Sequence, residues 1–173
     1  IELIVKLSDT LPDMGRLHRK IFIVVKSDPH LYSPFSYALT NVLHGFSIAF
    51  FSSACNGLLQ QGHTFLAGEA LRANILAQIS LALNRIWTEW YPSRGYSFNI
   101  TGSPGYDQAY VKGRTVFAVM ERLTAELFNT YVQRSGDAEP YYTEYCDGRT
   151  VTCPGMKQWG TVERAKEGKN ALQ

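Results

Sequence analysis

Leu66-Ala-Gly-Glu-Ala-Leu-Arg-Ala-Asn-Ile-Leu-Ala-Gln-Ile-Ser-Leu-Ala-Leu-Asn-Arg-Ile-Trp-Thr-Glu-Trp-Tyr91 is the stretch whose periodicity decides the fold. Leu71, Ile75, Ile79, Leu83, Ile86 and Trp90 recur at steps of three and four, the spacing that puts apolar side chains on one stripe of an α-helix. A helix over about Leu66 to Tyr91 follows, ended by Pro92, which lacks the N–H that a continuing helix needs. Downstream, Val116, Met120, Leu123, Leu127 and Tyr131 repeat the pattern and predict a second helix, Thr115 to Arg134, closed by Ser135-Gly136. Between them, the Gly, Ser and Pro-rich run Ser93 to Gly113 reads as a loop. It carries Tyr96, Phe98, Tyr106 and Tyr110, more aromatics than a solvated linker needs, so it is expected to pack down or bind something.

Upstream, Ile1 to Leu7 and Ile21 to Lys26 are rich in Ile and Val and separated by Pro12, Asp13 and Gly15, which predicts two strands. Pro29 to Gly68 contains no Asp, Glu, Lys or Arg, so much of it is expected to be buried or in contact. Ser33 before Pro34 reads as a helix start, with Phe35, Ala38, Leu39, Val42 and Phe46 at helical spacing; Gly57 and Gly62 bound a loop. Val42 to Leu59 is apolar, but His44, Gly45, Ser47, Ser52, Ser53, Asn56 and Gly57 favour a buried helix over a membrane span.

With 173 residues, 45% of them hydrophobic, the chain is read as one domain over 1–173 with a sizeable core. It begins at Ile1 without Met and stops at Gln173 inside an unfinished segment, so a fragment truncated at the C-terminus is expected. Seventeen basic against fifteen acidic residues leave a net charge of +2; with no Lys/Arg run, nucleic acid is excluded as a partner. Ten Tyr, nine Phe and three Trp either fill the core or line a carbohydrate site, where an apolar sugar face stacks on a ring. Predicted helices beside short strands give an α+β class, long helices packed on a small sheet.

The block Tyr141 to Gln173 is the densest. Cys146 and Cys153 flank Asp147-Gly148, a turn dipeptide between strand-like Tyr141 to Tyr145 and Thr150 to Thr152, which predicts a cysteine hairpin. Two states fit: a disulfide, which needs an oxidising, extracytoplasmic compartment, or two reduced thiols. The disulfide is the reading taken, with Cys55 as a buried thiol. Thr161 is a candidate cap for a last helix, Val162 to Lys166, terminated by Gly168.

His18, His30, His44 and His63 share no metal-ligand spacing with each other or with the cysteines, so no metal is expected. No P-loop, dinucleotide or nucleophile-elbow motif occurs, and no cofactor is expected. Cleavage of a glycan would need a carboxylic acid in an apolar setting. Glu69 is the acid nearest the uncharged segment, with the alternative role of a first-turn glutamate favoured by the helix dipole. Glu144 lies among aromatics and faces either solvent or a site.

Glu69 to Gln78 (Glu-Ala-Leu-Arg-Ala-Asn-Ile-Leu-Ala-Gln) resembles an "EALKAQAVAAR" helix; Tyr106 to Tyr110 resembles the mid-domain segment of the same family. Cys146 to Thr161, with Cys-Asp-Gly-Arg-Thr and Pro-Gly-Met-Lys-Gln-Trp-Gly-Thr, is similar to its "GGRT … GMSQWGA" signature. The family is SpoIID/LytB, the sporulation stage II protein D and amidase-enhancer group of bacterial cell-wall proteins. The resemblance covers about Gly68 to Gln173, whereas residues 1–65 match poorly. It implies action on peptidoglycan glycan strands outside the cytoplasmic membrane, in the cell wall or spore envelope. The lytic transglycosylases of the family use one glutamate as acid and then base; other members stimulate a partner amidase. The family glutamate precedes the "EAL" helix, where this chain has no acid, so the expected proton donor is Glu69 or an acid outside the matched positions. Tyr106, Asp107, Gln108, Gln158 and Trp159 are then expected to line the sugar groove. No zinc site carries over, because Tyr96 to Tyr110 lacks Cys and His. The alternatives are a non-catalytic glycan-binding or amidase-enhancer protein and a structural protein of the spore or cell surface.

Overall fold

A computed structural model describes residues 4–6, 64–109, 117–127 and 130–173 of the chain. Its elements are β1 (Ile4–Lys6), α1 (Thr64–Trp87), a 3-10 turn (Pro92–Arg94), α2 (Ala118–Leu127), β2 (Thr130–Val132), β3 (Tyr145–Cys146), β4 (Met156–Lys157) and α3 (Gln158–Lys166). The class is α+β: among the described residues, three α-helices with small two-stranded sheets. β1 and β2 run antiparallel, Val5 opposite Tyr131, while β3 and β4 run parallel, Cys146 opposite Lys157. The strands and helix expected at Ile21 to Lys26 and Ser33 to Phe46, the Gly57 to Gly62 loop, Cys55 and Tyr110 lie outside the described residues.

The core follows from the α1 stripe. Ala70, Leu71, Ile75, Ile79, Ala82, Leu83 and Ile86 pack with Met120 and Leu123 of α2, Tyr131 of β2, and Val162 and Ala165 of α3. Residues 74–86 are all buried, so α1 is a central helix wrapped on several sides rather than one with a wet face. Its buried polar groups hold the later segments. Asn74 Nδ2 donates to Thr161 Oγ1 at 2.9 Å, Ser80 Oγ accepts the Val132 N–H at 2.8 Å, and Asn84 Nδ2 donates to the Pro140 carbonyl at 2.8 Å. In a core where an unpaired polar group costs free energy, each such bond fixes the register of what packs there.

The structure corrects four expectations. The helix predicted over Thr115 to Arg134 gives way after Leu127, and Thr130–Val132 is a strand: β-branched and aromatic residues pair with β1 and still bury Tyr131. Trp90 leaves the stripe, because α1 ends at Trp87 and the indole is 39% exposed. Around the cysteines the paired residues are Tyr145–Cys146 and Met156–Lys157 in parallel, so the intervening segment is a crossover loop, not a two-residue hairpin turn. The last helix begins at Gln158, three residues ahead of Thr161, whose hydroxyl donates back to the Gln158 carbonyl at 2.7 Å inside the helix. Gly168 ends it as expected, with φ of 81° and its N–H on the Ala165 carbonyl.

Candidate functional site

The Cys146–Cys153 disulfide forms, with the two Cα atoms 6.0 Å apart. Inside the loop it closes, the Asp147 carboxylate accepts the hydroxyl of Thr150 and the N–H groups of Arg149, Thr150 and Val151. These bonds, the Thr150 hydroxyl foremost, hold the Asp147 carboxyl well below the usual carboxylate range. Gly148 takes φ of 77°, and a Cβ there would stand 2.6 Å from Lys157 Cβ, so glycine serves both the turn and the close approach to β4.

Beyond the loop, Pro154, Gly155 and Met156 form the floor of a cleft of about 930 Å³. Its walls are Ala73, Leu76 and Ala77 of α1 and the segment Tyr141 to Glu144. A Cβ on Gly155 would collide with the Glu144 carbonyl, the acceptor for the Met156 N–H at 2.9 Å; the floor can sit this close to the wall only without a side chain. A second cleft of about 370 Å³ shares Ala73, Gly155, Met156 and Ala171 with the first. Its other lining includes Glu69, Lys157, Thr161, Arg164 and Lys169. The two make one groove between α1 and the β4 to α3 segment, with an aromatic end at Tyr141 and Tyr142 and a charged end at Glu69.

The expected site residues divide. Glu69 lines the charged end. Its Oε2 accepts the Ala171 N–H at 2.8 Å and its Oε1 lies 3.6 Å from Arg72 Nε, so its surroundings are cationic and hydrogen-bonded. The side chain of Asp107 is buried and works as a hub: Arg85 Nε at 2.6 Å, the Tyr91 hydroxyl at 2.6 Å, and the Thr101 N–H and hydroxyl both at 2.9 Å. Burial pushes its carboxyl up, but the bonds from Tyr91, Thr101 and Arg85 outweigh that and hold it below the ordinary value. Gln108 is buried, donating to the Gln78 carbonyl at 3.0 Å and accepting from the Tyr145 hydroxyl at 3.1 Å; burial raises that phenol strongly. Tyr106 is 72% exposed. Gln158 is buried where α3 meets α1, and Trp159 packs on the core beneath the Arg149 guanidinium, 3.3 Å from its ring centroid. Neither lines the two clefts just described.

The groove residues that sequence reasoning passed over are Ala73, Tyr141, Tyr142, Met156, Arg164 and Lys169. The tyrosine pair and the family-like Pro-Gly-Met run were visible signals; Ala73 carried none. Glu144, whose orientation the sequence left open, is exposed on the wall of the larger cleft. Several buried amide atoms have no partner among the described residues: Asn74 Oδ1, both polar atoms of the Gln78 side chain, and Gln158 Nε2.

Among the described residues no cluster of His, Cys, Asp and Glu could hold a metal ion, and no helix is long and apolar enough to cross a membrane. No family model, curated protein or solved structure matches this chain.

Proposed function

We propose that this chain is a bacterial cell-wall protein of SpoIID/LytB type that holds peptidoglycan glycan strands in the groove between α1 and the β4 to α3 segment. One observation carries the reading. The two stretches that bear the family resemblance, Glu69 to Gln78 and Cys146 to Thr161, are far apart in sequence, yet Glu69 and Ala73 of the first face Gly155, Met156, Lys157 and Thr161 of the second across the groove. The tyrosines at one end offer ring surface to a sugar, and the polar groups at the other offer hydrogen bonds to its substituents. The disulfide accords with a place outside the cytoplasmic membrane.

Binding is favoured over cleavage. A lytic transglycosylase needs a carboxyl group that can reach the scissile oxygen, whereas one oxygen of Glu69 faces the Ala171 N–H and the other faces Arg72. The test uses purified bacterial cell wall and peptide-stripped glycan strands. Wild-type protein is expected to co-sediment with the wall, and Ala73→Phe, which fills the groove from a helix face, is expected to release it. Release of anhydro-muramyl products detected by mass spectrometry and lost in Glu69→Gln would convert the reading to an enzyme. Failure of the folded protein to bind either material would end it.

A further inference from the structure

No residue of the aromatic loop after α1 lines either cleft. Trp90, Tyr96 and Phe98 are 39%, 53% and 39% exposed. They are not loose. Tyr91 packs against Phe98 at a tilt with ring centroids 4.8 Å apart, Tyr96 against Phe98 likewise at 5.2 Å, and Tyr91 meets Tyr96 edge-on at 6.0 Å. Beneath them, Asp107 binds the Tyr91 hydroxyl and both donors of Thr101, which pins the two ends of the 91–101 segment to one buried carboxylate. At the loop's entry Glu89 takes φ of 48°, the single non-glycine residue in the left-handed region among the described residues, a conformation that persists only where its surroundings hold it.

We propose that Tyr96 and Phe98 form a second saccharide subsite that extends the groove, with Arg94 as a hydrogen-bond donor at its edge. The inference rests on the glycan-binding reading given above. Three features select a saccharide. First, the rings are fixed before any ligand arrives, which removes most of the ordering cost of stacking. Second, residues 95–106 contain no charged side chain and include Ser97, Asn99 and Ser103, a surface for an uncharged amphipathic ligand and a poor one for a polyanion. Third, the loop and the groove wall are braced by the same residue. The Arg85 guanidinium carbon stands 4.4 Å from the ring centroid of Tyr142, a groove wall, and 5.8 Å from that of Tyr91, so one buried cation joins the wall to the ring on which Phe98 and Tyr96 lean.

The test is calorimetric titration of the folded protein with peptide-stripped glycan strands fractionated into short and long pools. Wild type is expected to bind long strands more tightly than short ones. Tyr96→Ala combined with Phe98→Ala is expected to weaken long-strand binding about tenfold, the value of two lost ring contacts, and to leave short-strand binding unchanged. Tyr96→Phe, which keeps the ring, retains the length dependence and guards against misfolding of the double variant. Long-strand affinity unchanged by the loss of both rings overturns the subsite; if Ala73→Phe still abolishes binding in that case, the groove reading stands without it. Wild-type protein that binds neither pool overturns both.

Discussion

Replacing Asp107 by Asn tests the hub on which the α1 end, the aromatic loop and the Tyr142 wall all depend. The carboxylate has no exposure and faces a guanidinium that is 8% exposed, at 2.6 Å. Asparagine keeps the shape and can still accept from Arg85 through its carbonyl oxygen. It turns an NH2 group toward the Thr101 N–H, a donor that cannot reverse, and leaves Arg85 as a buried cation without a counter-charge. Breaking a buried pair from one side costs about 3–5 kcal/mol. The lower end is expected here, because the rings of Trp90 and Tyr142 stand 4.5 and 4.4 Å from the guanidinium carbon and continue to solvate it. At roughly 2–4 °C per kcal/mol for a chain of this size, the melting temperature should fall by about 6–12 °C in a calorimetric or circular-dichroism melt. The pH dependence has a definite sign. The folded-state carboxyl of Asp107 lies below its ordinary value, so its contribution is present above the unfolded pKa of about 4 and is lost as the pH falls through the folded value. The gap between wild type and Asp107→Asn should be full at neutral pH and close under acid. Adding Arg85→Met should recover much of the loss, because it removes the stranded cation. A drop below about 1 kcal/mol at pH 7, or full additivity in the Asp107→Asn and Arg85→Met cycle, would refute the hub as the source of this stability.

Three further perturbations have readable outcomes. Cys146→Ser with Cys153→Ser, or reduction of the disulfide, frees a loop with a sequence separation of seven; chain entropy puts the loss at about 2.5 kcal/mol, read as a lower urea midpoint. Gly155→Ala should cost more than about 2 kcal/mol and disturb the β3 to β4 pairing, because its methyl group meets a backbone carbonyl that has nowhere to go; a wild-type melting temperature would contradict the close approach. Gln78→Leu removes a buried amide whose polar atoms have no partner among the described residues, so it should raise stability by about 1 kcal/mol. A loss of stability instead would mean that the amide is paired.

The sequence determined α1, and it did so for a physical reason. A stripe at steps of three and four has one low-energy solution, and Leu71, Ile75, Ile79, Leu83 and Ile86 take it. It also determined the stop at Gly168, a local matter for a glycine able to take positive φ, and narrowed Cys146 and Cys153 to a disulfide or two thiols, of which the structure has the disulfide. Where a partner remote in sequence decides, local pattern failed. Thr130–Val132 continues a helical spacing yet becomes a strand because β1, more than 120 residues earlier, offers it a ladder. Asp107 and Gln108 looked like groove residues, yet their bonds to Arg85, Tyr91, Gln78 and Tyr145 bury them as fasteners. Only the tertiary structure set Ala73 opposite Gly155 and Met156, and so placed the groove. A cleft is defined by the space between chain segments, and no single segment encodes that space.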